Sequence, residues 1–434
     1  MTIAHMRVTS LDQTNLSSLG SLTKASRAPI YTACALLAAY TCVPLGVAAV
    51  LDTDGYYVEL AEISALAAIG VWLGSHIRMF DPLFRGDMPR IKVPAATLNG
   101  VLWIVFVLFV LVAWTTAERI PLLAAIGGAD PDVIAVLREQ FLKGREGWQA
   151  SFVYINAILS GALIPYSIAM MFLHRMRLRW LAFAFFLVFC VSFVEKAFFL
   201  KATLPLFYLV AQRRIRVPLS PSVLVLGMLS LLMVVTVFSG AGAGESAADE
   251  AFFSTGYAPQ GPVAHIVWRS VAIPVITAAD AVRVLHENFN GQLLWGRTSS
   301  LIAGLTGMDH VEFERQVFAA EWGQSETGTG SSNSVYITEA YVNFGLPGIV
   351  IFSLIVGLLM RFFATSRDEA FRSLWPLFAM GIFTSGLIGL LFSNGFLMLF
   401  ALGLFVRFTN LSHPREATFA DTATPATAPL PPKP

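Results

Sequence analysis

Charge is what this sequence has least of. Asp, Glu, Lys and Arg make up only 13% of its 434 residues, hydrophobic residues make up 56%, and the mean hydropathy is +0.67. Soluble domains carry about a quarter charged residues, so this chain cannot clothe a water-facing surface and must take lipid as its main solvent. A net charge of +1 leaves no basic excess to neutralise a phosphate backbone, which excludes nucleic acid as a partner. Cysteine is scarce too. Cys34, Cys42 and Cys190 all lie in apolar runs, so no disulfide framework is available. There is no Gly-rich phosphate loop, no Ser-His-Asp order and no Cys/His spacing for zinc. Residues 1–28 are polar and Ser/Thr-rich, without the layout of a cleaved signal. They read as a cytoplasmic segment ahead of a retained first helix. Residues 414–434 form a Thr/Ala/Pro tail expected to be disordered.

Long apolar runs are what the sequence does have. A bilayer core needs about 20 apolar residues per helix, and on that rule spans fall near 29–51, 57–77, 98–116, 151–172, 181–194, 202–211, 221–238, 346–363, 375–392 and 396–408. The expected fold is all-α: a polytopic membrane protein of about ten transmembrane helices, one membrane domain over 29–413, with a large helical extracytoplasmic loop at 239–345. The two runs around Lys196 are short and suggest a hairpin or broken helices. Arginine and lysine cluster after alternate spans: Arg78, Arg85, Arg90 and Lys92; Arg175, Arg177 and Arg179; Arg213, Arg214 and Arg216; Arg361, Arg367 and Arg372. The positive-inside rule puts these, and both termini, in the cytoplasm.

One outer segment resists that rule. Residues 118–149 carry Arg119, Arg138, Lys143 and Arg145 on the outside face. An anionic ligand would hold them there, although Asp130, Asp132, Glu139 and Glu146 could simply balance them. The loop 239–345 is too patterned to be a linker. An amphipathic helix through 263–287 carries Val267, Val271, Val275 and Ile276 on one face, and a second helical stretch covers 312–322. The loop's cations are Arg269, Arg283, Arg297 and Arg315, with no lysine. A planar guanidinium fork suits phosphate oxygens better than a point charge does; the plainer alternative is that some of these arginines only pair with carboxylates.

The run Ser334-Val-Tyr-Ile-Thr-Glu339-Ala-Tyr341-Val-Asn343-Phe-Gly345-Leu-Pro-Gly348 opens the next span. It resembles the loop exit of the Wzy-type polymerases of O-antigen and exopolysaccharide repeat units. Arg269 and the later Leu294-Trp-Gly296-Arg297 are similar to the middle of that family's periplasmic loop. Val136-Leu-Arg138-Glu-Gln-Phe141 with Gly144 resembles its earlier loop, and Lys196 its lysine in a short helix pair.

The resemblance implies a GT-C-like glycosyltransferase in the bacterial inner membrane. It would polymerise undecaprenyl-diphosphate-linked oligosaccharide repeat units on the extracytoplasmic face. It implies no metal and no cofactor, with arginines meeting the leaving diphosphate, and it implies a chain-length regulator and a flippase as partners. On that reading Arg269, Glu339 and His265 are the catalytic candidates. Arg138, Arg145, Lys196, Lys201, Arg283, Arg297, Tyr341 and Asn343 are the substrate-binding candidates. His265, four residues before Arg269, would share its face, although a lone histidine is more often structural.

Other residues have rival readings. Asp52-Thr-Asp54-Gly55 could hold a divalent ion against phosphate, but is more simply a turn between spans. Glu59 and Glu62 share a helix face at the outer end of the second span. Glu195, Lys196 and Lys201 lie near hydrocarbon, where ionisable groups mark functional interiors or mutual pairs. Two other functions fit the plan of the chain: an O-antigen-ligase-like transfer of finished glycan to a lipid core, and a transporter or flippase. A carrier would show inverted repeats or paired broken helices, and no internal duplication is evident. The Glu339–Gly345 pattern favours the polymerase over the ligase.

Overall fold

The computed structural model describes residues 27–51, 55–142, 145–194, 198–215, 220–238, 251–323, 332 and 335–409. Residues 1–26, Asp52, Asp54, Lys143, Glu195, Lys196, Arg216 and the 414–434 tail lie outside them.

Helices account for most of the described chain. α1 (Ala28–Leu51) and α2 (Tyr56–Ser75) form the first antiparallel pair. A short α3 (Asp81–Arg85) and strand β1 (Ile91–Pro94) lead to α4 (Ala95–Thr115). α5 (Pro121–Ile126) and α6 (Pro131–Leu142) precede α7 (Gly147–Leu173). Then come α8 (Arg179–Ser192), α9 (Leu200–Ala211), α10 (Pro221–Phe238) and α11 (Gly261–Phe289). α12 (Ser300–Thr306), α13 (Phe313–Trp322) and α14 (Tyr336–Thr365) follow. The chain closes with α15 (Glu369–Arg372), α16 (Trp375–Thr384), α17 (Leu387–Phe392), α18 (Phe396–Phe405) and β2 (Val406–Thr409). β1 and β2 pair in parallel, Ile91 with Val406, and make the one sheet among the described residues.

Six of these helices are long and apolar enough to cross a membrane: α1, α2, α4, α7, α11 and α14. α8, α9, α18 and the Ser222–Val234 part of α10 are apolar but shorter. The ten expected spans therefore resolve into five full-length helices (α1, α2, α4, α7 and α14), four shorter ones and one broken run, and α11 is the sixth long apolar helix. Two details differ from the sequence reading. The expected run 375–392 is broken into α16 and α17, because Ser385 and Gly386 are extended (φ −156°, ψ 163° and φ −64°, ψ 148°). And α11, expected as an amphipathic loop helix, is 29 residues long and itself meets the length and hydropathy of a crossing.

Two helices carry π-turns, at Leu37–Cys42 in α1 and Leu159–Leu163 in α7. Pro44 and Pro165 follow closely. Each lacks the N–H that would bond Tyr40 or Gly161 four residues back, and the backbone widens where that bond is missing.

The most extensive helix pair is α2 with α14, and small residues explain it. A Cβ added at Gly70 would come within 2.6 Å of the Ser353 Cβ, and Gly74 and Gly357 sit directly against the Leu354 and Val71 carbonyls. Lipid is as apolar as Leu, so helices in it associate by close backbone approach over such residues.

Polar contacts separate the two ends of the bundle. At one end the arginine clusters meet: Arg361 grips Asp81 with Nε and Nη2 (2.6 and 2.5 Å), Arg367 reaches Asp87 (3.1 Å), and Arg214 reaches Glu369 (3.0 Å). The β1–β2 pairing and the Tyr166 hydroxyl donating to Asp368 (2.6 Å) lie there too. At the other end lie α11, α13, the start of α14 and the first turn of α2.

Candidate functional site

The loop-exit motif folds as a helix, a break and a second helix. Tyr336 is fully buried, its hydroxyl 2.9 Å from the Ser353 Oγ, which fixes the first turn of α14 against its later part. Gly345 has φ 63° and ψ −154°, a combination essentially reserved for glycine, and Pro347 opens the membrane segment that follows.

Three polar residues of the motif find three different partners. Asn343 is wholly buried. Its Nδ2 donates to the Thr298 Oγ1 (2.7 Å) and the Glu339 carbonyl (2.8 Å), while its Oδ1 accepts from the Gly296 amide (2.9 Å). The Leu294 and Trp295 amides add bonds to the Val342 and Asn343 carbonyls (3.0 and 2.9 Å). Asn343 therefore pins the Leu294-Trp-Gly-Arg297 turn to α14. Tyr341 donates its hydroxyl to Glu59, which also holds the His286 Nε2 at 3.0 Å. Glu339 faces the broken span: its Oε2 accepts from the Ile388 amide at 3.2 Å, and the Leu387 amide also reaches the carboxylate. A helix start buried in a membrane bundle needs partners for its free N–H groups, and Glu339 supplies them. A Cβ at position 386 would fall 2.5 Å from the Glu339 carboxyl carbon, so only glycine leaves the carboxylate this close.

A second cluster forms where α11 and α13 meet. Glu321, nearly sealed from solvent, accepts from the Thr277 hydroxyl (2.5 Å) and from the Ser332 hydroxyl. Burial raises its pKa; hydrogen bonds from Ser332, Thr277 and Trp322, and the nearby Arg269 guanidinium, pull the other way. Arg269 has Glu321 as its opposite charge and Arg138 as a like-charged neighbour. The Arg138 Nε is buried without a hydrogen-bond partner among the described residues. One helical stretch further along α11, Asp280 pairs with Arg283 (2.9 Å). The Nε of Arg283 is likewise buried and unbonded, and its Nη2 only grazes the Ala320 carbonyl (3.5 Å).

The remaining candidates are placed elsewhere. Arg145 is a structural tie: it donates to the Thr116 hydroxyl (2.5 Å), the Ala113 and Phe141 carbonyls (2.7 and 2.8 Å) and Gln149 (3.3 Å), and lies over the Phe152 ring at 5.1 Å. Every one of these acceptors is neutral, and burial lowers the pKa of the guanidinium. Arg297 donates to the Asp309 carbonyl (3.0 Å) and braces its own turn. His265 sits beside the Trp268 ring, 5.9 Å between centroids. The Lys201 ammonium lies 3.9 Å from the centre of the Phe198 ring. Nearby, Val194, just after α8, packs against Ala125 and Ile134 of α5 and α6.

Glu321 and the Glu59–His286 pairing are what the sequence reading missed. Glu321 had a signal: Phe313, Val317 and Glu321 fall four residues apart, so the carboxylate continues the buried stripe of α13. The Glu59–His286 contact spans 227 positions and no local pattern announces it.

Residues 323–388 match the family model described as O-antigen polysaccharide polymerase Wzy. That stretch holds Glu339, Tyr341, Asn343, the Gly345 break and the α16–α17 break, so the resemblance read from the loop exit is borne out over it. No curated protein and no solved structure matches the chain.

Proposed function

We propose that this chain polymerises lipid-linked oligosaccharide repeat units, moving a growing glycan from undecaprenyl diphosphate onto the sugar of a new unit. The family match over residues 323–388 supports the polymerase class. The observation that carries the site is the nearness of two cations, with Arg138 as a like charge and Glu321 as an opposite one beside Arg269, and with the buried Arg138 Nε unbonded among the described residues. Two guanidinium groups brought together repel, and an unbonded buried Nε on Arg138 adds to the cost. A doubly charged anion between them would relieve both, and a leaving diphosphate is such an anion.

In that reaction the acceptor hydroxyl bonds to the anomeric carbon as the bond to the diphosphate breaks. The hydroxyl proton passes to a base or to water, and the diphosphate leaves with the electron pair. Cations held at the diphosphate lower the barrier by meeting charge as it develops. Arg269 is assigned the principal grip, with Arg138 beside it and Arg283 at the margin. His265, one turn before Arg269, would line the approach, and Lys201 would sit at the rim toward α5 and α6.

Glu339 is assigned to positioning. Its carboxylate is engaged by the start of α17, so it would hold the broken span in place and through it the acceptor. Tyr341, with Glu59 and His286, would border the acceptor side. The enzyme would work on the extracytoplasmic face of the bacterial inner membrane, with cytoplasmic termini, between a flippase that delivers repeat units and a regulator of chain length.

The reading is tested by the lipid-linked species in cells lacking the protein. Single repeat units on undecaprenyl diphosphate should accumulate. Accumulation of finished polymer on that lipid would instead support ligation to a lipid core, and would end the polymerase reading.

A further inference from the structure

The arginine-rich end of the bundle, opposite the candidate site, holds a cleft of about 720 Å³ between the start of α1, the α2–α3 connection and the end of α14. Its lining includes Arg78, Arg85, Arg361, Arg367, Asp81 and Ile30. Asp81 is already spent, since Arg361 takes both of its oxygens and Arg85 approaches one at 3.5 Å. Arg367 pairs with Asp87 (3.1 Å), but with side chains 72% and 45% exposed that contact contributes little in water. Arg78 is exposed and has no carboxylate within ion-pair distance among the described residues. The cleft is therefore strongly cationic, and two of its arginines can take an anion without breaking a buried pair.

Its other wall is apolar. Ile30 lies in the first turn of α1, an apolar helix long enough to cross a membrane, and is 46% exposed. A cleft cationic on one side and apolar on the other, at the level where three such helices end, fits an amphiphile. We infer that this cleft binds the phosphodiester headgroup of an anionic membrane lipid, with Arg78 and Arg367 on the phosphate and the acyl chains running past Ile30. A soluble phosphate would use the arginines but gain nothing from the apolar wall. The site lies at the far end from Arg269, so occupancy does not depend on the proposed transferase chemistry.

The test is native mass spectrometry of the purified full-length protein, delipidated and then offered phosphatidylglycerol or phosphatidylcholine. Phosphatidylglycerol should be retained and phosphatidylcholine lost. Each arginine near an anionic surface is worth roughly 1 kcal/mol, about fivefold in affinity, so the double variant Arg78→Gln/Arg367→Gln should bind phosphatidylglycerol about 25-fold more weakly. Arg78→Lys should stay within a few fold of the wild type. Arg177→Gln, which alters an exposed arginine outside the cleft, should change nothing. Equal retention of the two lipids would overturn the inference, as would unchanged affinity in the double variant or an equal loss in Arg177→Gln. Displacement of the lipid by millimolar inorganic phosphate alone would make the cleft a site for a soluble anion, and would also overturn it.

Discussion

Replacing Asn343 by Ala should release the Leu294–Thr298 turn from α14 without unfolding the membrane helices. The side chain is wholly buried and makes three good hydrogen bonds, to the Thr298 hydroxyl, the Glu339 carbonyl and the Gly296 amide. Each is worth about 1 kcal/mol net, and a buried donor left unmet costs about 1–3 kcal/mol more. Alanine removes the two bonds that reach the turn and strands the Gly296 N–H, so the docked turn should lose about 3–4 kcal/mol, or about 10²–10³-fold in its opening equilibrium. Hydrogen exchange read by mass spectrometry is the assay. Peptides covering 291–300 should exchange faster by about that factor, while peptides within α2 and the later part of α14 keep their protection. Asn343→Asp should not rescue the turn, because it keeps the acceptor for Gly296 but loses both donors and buries a charge. Unchanged exchange across 291–300 in Asn343→Ala would refute the idea that this residue holds the loop.

Further outcomes follow from the same geometry. Arg269→Ala should slow extension of lipid-linked repeat units by about 10²–10³, and Arg269→Lys should stay well below wild type because it lacks the fork; full activity of Arg269→Ala at normal abundance would remove Arg269 from the site. Glu339→Gln should keep much of the activity, since an amide oxygen can still accept from the Ile388 amide, whereas Glu339→Ala and Gly386→Ala should both lose it; equal loss in Glu339→Gln would make Glu339 a base for the acceptor hydroxyl and end its positioning role. Burial raises the pKa of Glu321, so its contribution to stability is complete at acid pH and falls as pH rises through the raised value. Thermal melts should show that slope, and Glu321→Gln should flatten it. A reporter fused after Gly291 should read outside and one after Arg216 inside, and reversal at either site would discard the orientation.

Much of the fold was legible because hydrocarbon thickness imposes a length on every crossing helix. The π-turns also had a local cause, in Pro44 and Pro165. The break between α16 and α17 did not. Ser-Gly in an apolar run can continue a helix, and what permits the break is Glu339, far away in sequence, meeting the freed N–H groups. The same distance effect hid the site's detail. Arg138 and Arg269 were both singled out, but the nearness of Arg269 to Arg138 and Glu321 is tertiary. Arg145 looked like a ligand-binding cation because sequence shows charge and cannot show that its acceptors are carbonyls and hydroxyls. Asn343 and Arg297 were read as substrate contacts, and the bonds they make build the Leu294–Thr298 turn, a role that no local pattern shows.

The most direct measurement of the central claim is extension by the purified protein of a defined undecaprenyl-diphosphate-linked repeat unit, resolved by length, with Arg269→Ala alongside. The wild type should give a ladder of products with no added core acceptor, and the variant a ladder weaker by about 10²–10³. A wild type that yields no product longer than the single unit, or a variant that extends as fast, would contradict it.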